Sequence, residues 1–204
     1  MILWSIQPEE VFNIIQANGV YHCSTEIIIK KDFALMQYNW LADQMRKRVG
    51  NPPDGVNYPV WACYIWRQTS AKPDLRAVRH YWGRNGERYY RLKIDVPDDK
   101  VLLCDRNAWD VILNECLLSD SESEDKELEA IYESLTPYDK IIMRNKNWER
   151  LFDIVPYTPV NNDWSGKGEI IEAVFWELRK EYIREVKMFV SCSKYYKSKE
   201  AHKS

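Results

Sequence analysis

The chain has 204 residues and a mass of 24.4 kDa, enough for one large domain with a substantial core. Apolar residues make up 45% and charged residues 29%, which excludes a disordered or fibrous chain. Lys+Arg 29 against Asp+Glu 31 leaves a net charge of −2, so no global basic field draws the whole molecule onto nucleic acid.

Met1 to Ile6 reads as a short buried strand, because Ile2, Leu3, Trp4 and Ile6 are apolar. Pro8 then suits the first position of a helix, with Glu9 and Glu10 at its positive end. Val11, Phe12, Ile14 and Ile15 make its apolar face, and Gly19 can close it in the left-handed conformation. Asp32 reads as the cap of a second helix. Phe33, Met36, Trp40 and Leu41 recur at helical spacing, and Arg46-Lys47-Arg48 fills the last turn before Gly50. Residues 51–55 form a turn.

Val60 to Trp66 is a continuous apolar run, expected as a central strand. Residues 67–84 carry little periodicity and the cations Arg67, Lys72, Arg76, Arg79 and Arg84. They read as a long surface excursion, a type of segment often given over to function. Tyr90, Leu92, Ile94 and Val96 then alternate with Tyr89, Arg91, Lys93 and Asp95, the pattern of a half-exposed strand. Val101 to Cys104 is a short buried strand. Asp105 can cap a helix burying Trp109, Ile112, Leu113 and Cys116.

The acidic stretch from Ser119 to Glu129 reads as a solvated loop or helix start. Trp148, Leu151 and Phe152, between Pro137 and Pro156, predict a short helix. Residues 159–168 are polar and loop-like. Glu169 to Leu178 is a strand candidate, Glu181 to Val190 suits either helix or strand, and the lysine-rich residues 194–204 read as a flexible tail after a single domain at 1–193.

No apolar run approaches the roughly 18–20 residues of a membrane span, and the N-terminus lacks the features of a secretory signal, so a cytoplasmic protein is expected. Nine Trp, 13 Tyr and five Phe predict a core of large flat side chains or an aromatic-lined pocket. Cys23, Cys63, Cys104, Cys116 and Cys192 are scattered and odd in number, which favours reduced thiols over a disulfide framework. With His22, His80 and His202 far apart, no metal motif is present. Neither a Gly-rich phosphate loop nor a nucleophile elbow is found.

Two resemblances go further. Trp4-Ser5-Ile6-Gln7 at the start and Ala173-Val174-Phe175-Trp176 near the end resemble an uncharacterised bacterial domain-of-unknown-function family, over nearly the whole chain. The order of elements is more distantly similar to the DarT-type DNA ADP-ribosyltransferases. The matching stretches are Leu3 to Ile6 with the helix to Gly19, Tyr58 through Trp66-Arg67, Leu103 to Ala108, Trp148 to Phe152, and Ile171 to Trp176 followed by Ile183 to Val186. That resemblance implies an α+β domain with a central, mostly antiparallel sheet split into two halves by a cleft. It also implies NAD as a substrate and a macromolecular acceptor such as nucleic acid, in a toxin or phage-conflict setting.

The chain departs from the second pattern at one position. Where the transferases carry their catalytic glutamate, this sequence has Val174. Glu172 lies two residues earlier, on the same face of a strand and displaced by roughly 6–7 Å. Glu172 is therefore the candidate catalytic carboxylate, the alternative being an ordinary strand carboxylate facing water. The resemblance further suggests Trp4, Gln7 and Arg67 toward NAD, and Arg76, Arg79, His80 and Tyr81 toward the acceptor. A second reading is a catalytically inactive module of the same fold. It would bind a nucleotide, a single strand of nucleic acid through the cationic excursion, or a protein partner.

Overall fold

The computed structural model describes residues 1–23, 25–26, 34–158 and 164–194. The opening strand is β1 (Ile2–Pro8), and helix α1 (Glu9–Asn18) follows it. Pro8 caps that helix from outside rather than occupying its first turn. Gly19, at φ 79°, ends it by donating its N–H to the Ile15 carbonyl, a left-handed closure that a residue with a Cβ adopts only with strain. Then come β2 (Val20–Tyr21), α2 (Leu35–Arg48), β3 (Val60–Trp66), β4 (Thr69–Ser70), α3 (Leu75–Val78) and β5 (Arg88–Asp95). The chain continues through β6 (Leu102–Asp105), α4 (Arg106–Leu113), α5 (Glu122–Ser134), α6 (Pro137–Trp148), β7 (Ile170–Phe175), β8 (Leu178–Arg179) and β9 (Ile183–Val190).

The six long strands pair in the order β6-β7-β3-β1-β5-β9, with β4 beside β3, and every pairing is antiparallel. The small β2–β8 ribbon stands apart. The expected α+β class, antiparallel sheet and single domain are therefore found. The expected division of the sheet is not, because hydrogen-bonded pairing runs unbroken from β6 to β9.

The layers above the sheet are what divide. One face carries Leu3, Ala62, Leu92, Ile94 and Ala173 and is covered by Val11 and Ile15 of α1. The other face is covered in two separate pieces. Trp40, Leu41 and Met45 of α2, with Trp109, Ile112 and Trp148, pack over Trp61, Val174 and Cys104. Leu75 and Val78 pack over Ile6, Tyr89 and Phe189. Between them runs a row of paired residues, Glu172, Cys63, Trp4 and Lys93, which continues from Cys104 beneath the first cover. A bulge in β3 between Cys63 and Ile65 leaves Tyr64 unpaired in the ladder and brings Trp66 opposite Ile170, on the same face as Glu172.

Several elements differ from their sequence expectation. The excursion after Arg67 is not featureless. It contains β4 and the one-turn helix α3, started by Asp74, whose side chain accepts from the Arg76 N–H. Helix α4 ends at Leu113, so Cys116 is exposed rather than buried. β5 is covered on both faces, since Tyr89 and Arg91 are buried as well as Leu92 and Ile94. The acidic run begins the thirteen-residue helix α5, capped by Ser121, and α6 is capped by Thr136 ahead of Pro137. Residues 183–190 resolve as strand. The predicted cap Asp32, its neighbour Phe33 and the tail 195–204 lie outside the described residues.

Asp105 joins two parts of this architecture. It is fully buried, its Oδ1 accepts from the N–H groups of Asn107 and Ala108 at the start of α4, and its Oδ2 accepts from the buried Gly168 N–H at 2.5 Å. Asp105→Ala removes the cap, worth about 1 kcal/mol, and strands a buried donor, worth about 1–3 kcal/mol more. A loss of about 2–4 kcal/mol in urea-unfolding free energy is expected.

Candidate active site

Glu172 lies in the row between the two covers, beside the fully buried Cys104. Its strand neighbours are Cys63 on β3 and Cys104 on β6, and its side chain is only 15% exposed, not turned to water. Val174, two residues on, faces the same side but is sealed in the core. The guanidinium of Arg106, in the first turn of α4, reaches the Glu172 Oε2 at 3.4 Å and also holds Asp110 at 2.9 Å. Burial pushes the Glu172 carboxyl above its ordinary range, and Arg106 opposes that rise.

The neighbouring groups register the same low-polarity setting. Burial raises the Cys63 thiol to about 12, and the Glu172 charge adds to the rise. The Tyr38 hydroxyl of α2 is also pushed to about 12, chiefly by burial, with Cys23 and Glu172 contributing in the same direction. Cys104 is raised in the same way. Cys63 and Cys104 flank Glu172 one strand to either side, so they stand about 9–10 Å apart, beyond disulfide reach. With thiols held protonated, both are expected to resist iodoacetamide in the folded protein at pH 8, while exposed Cys116 alkylates first. Mass mapping of the modified peptides reads this directly.

Arg106, Tyr38 and Cys63 carry no motif. Only the Asp105 cap, which fixes the start of α4, hinted that Arg106 would project near the sheet.

The other expected residues are distributed unevenly. Trp4 shares the row with Glu172, but its ring is buried, its Nε1 donates to Ser70 Oγ, and Lys72 and Arg91 stack at 4.9 and 5.1 Å. Gln7 lies three residues on and therefore faces the opposite side, where its Nε2 donates to Ser5 Oγ. The sheet separates it from Glu172. Arg67 sits in the β3–β4 turn at φ 46°, is 56% exposed and bonds Glu169 at 2.7 Å, while its guanidinium lies 5.7 Å from the ring centres of both Trp66 and Tyr157. Trp66 is half-exposed on the Glu172 face.

Arg76 is held by Asp74, Arg79 donates to Cys192 Sγ, and His80 Nδ1 lies 3.2 Å from the same sulfur. Tyr81 is exposed beside Trp82. Of these four, Arg79 and His80 meet at Cys192 rather than at Glu172. Two cavities, of about 210 and 420 Å³, lie elsewhere. The first is beside Leu118, Arg150 and Trp164, the second beside Trp176, Arg179 and Tyr182.

Among the described residues no cluster of His, Cys, Asp or Glu suits a metal ion, and no helix is long and apolar enough to cross a membrane. Comparison with curated proteins and with solved structures yields no match. A family model described as a domain of unknown function, DUF3841, matches residues 2–184. The expected resemblance to such a family is met, and the chain belongs to it.

Proposed function

We propose that the chain transfers ADP-ribose from NAD to a macromolecular acceptor, with Glu172 as the catalytic carboxylate. The observation that carries the reading is a carboxylate on an interior strand, withdrawn from water and ion-paired with Arg106, in the row between two helical covers. In the reaction the bond between the ribose anomeric carbon and the nicotinamide nitrogen breaks, and its electron pair leaves with nicotinamide. The sugar is left cationic. An ionised Glu172 stabilises that charge strongly because little water screens it. The acceptor oxygen or nitrogen then bonds the sugar carbon and loses its proton, which Glu172 takes as general base. Residues for the rest of the dinucleotide are at hand: Trp66 offers a half-exposed ring on the same face, and Arg67 a cation for the pyrophosphate.

Incubation of the purified protein with NAD, followed by chromatography for free nicotinamide, tests the reading. Release above the spontaneous rate is expected, and no release together with no NAD binding by calorimetry overturns it. The acidic limb of the rate profile is a further expected result. Activity should rise with pH through a group lying above the ordinary glutamate range, because only the ionised form stabilises the cation. Arg106→Ala removes the charge that holds that pKa down, so the limb should move to higher pH.

A further inference from the structure

We propose that β9 is a self-pairing edge through which two copies of this chain associate. β9 ends the strand order, so its outer backbone N–H and C=O groups have no strand partner among the described residues. It is eight residues long, and Val186, Met188 and Val190 line one of its faces at 43, 47 and 40% exposure. A long edge with an apolar stripe is a template for another strand.

The charges select a second copy as that strand. Antiparallel pairing about a two-fold axis through Val186, normal to the sheet, sets Glu185 of each copy opposite Lys187 of the other. Val186 then meets Val186. Faces are preserved across the junction, so the helical covers of both copies continue on their own sides. Moving the axis to Lys187 apposes two lysines, which disfavours that register. Glu185, already bonded to Arg91 at 3.0 Å, is held in place for the cross-strand contact.

Light scattering on the full chain over a dilution series should give about twice 24.4 kDa at high concentration. Glu185→Lys and Lys187→Glu each place like charges in opposition and should return the mass to that of one chain. The double variant Glu185→Lys/Lys187→Glu restores opposite charges and should restore the dimer. That rescue separates the interface from any effect of losing the Arg91 contact, and circular dichroism verifies that each variant is folded. A single-chain mass for the wild type at every concentration overturns the proposal. So do single variants that remain dimeric, or a folded double variant that stays monomeric.

Discussion

Glu172→Gln is expected to reduce nicotinamide release by about 10²–10³-fold, the usual cost of deleting one electrostatic stabiliser of a transition state, while leaving the fold intact. The same substitution should hold or raise the melting temperature at pH 7. Burial lifts the folded-state pKa of Glu172 above the ordinary value of 4.5. A group raised in this way favours the folded state below the unfolded pKa, and that contribution is lost as pH rises through the folded pKa. At neutral pH the carboxylate is therefore a net burden on the fold. Glutamine keeps the shape and removes the charge, and Arg106 retains Asp110. Lost turnover with undiminished melting temperature is the signature of a group kept for chemistry. A clear fall in melting temperature at pH 7 would make Glu172 a structural ion-pair partner instead. Turnover that survives in the glutamine variant would remove it from the mechanism.

Trp148→Ala should have the largest effect on stability, about 3–5 kcal/mol, and lower the urea midpoint accordingly. Trp148 is fully buried at the junction of α2 and α6. Its ring meets Trp40 edge-on at 5.5 Å, Arg144 lies 4.9 Å from its centre, and its Nε1 donates to the Cys116 carbonyl at 2.8 Å. Alanine leaves a large cavity and an unpaired carbonyl in the layer that covers Val174 and Cys104. Against a typical total of about 5–15 kcal/mol, the loss would leave the protein marginal. Trp148→Phe retains most of the ring and gives up the hydrogen bond, so it should lose only about 1–2 kcal/mol. An alanine variant as stable as the phenylalanine one would contradict this account of the core.

The strands with clear apolar runs, β1, β3, β5 and β6, were legible in the sequence because their periodicity is local. So were Gly19 as a helix stop and Asp105 as a cap. The 183–190 segment was not, since its alternation of Val186 and Met188 with charged residues suits an edge strand and an amphipathic helix alike. Glu172 was legible as sharing the face of Val174, because parity along a strand requires it. Its partners were not. Arg106 lies 66 positions away in the chain, and Tyr38 reaches the site from α2; only the folded packing brings them together. Gln7 illustrates the converse, because proximity to Trp4 in sequence placed it on the wrong side of the sheet.

The extra residue in β3 has an evolutionary corollary. Drawn into regular pairing, Tyr64 would shift the parity of the residues after it and rotate Trp66 to the far surface, beneath α1, away from the carboxylate. Losing that one codon would instead leave a regular ladder with Ile65 still opposite Ile171 and Trp66 still opposite Ile170, so the ring would keep its side. Relatives lacking this insertion would be expected to keep the aromatic on the carboxylate's face, on a straighter strand.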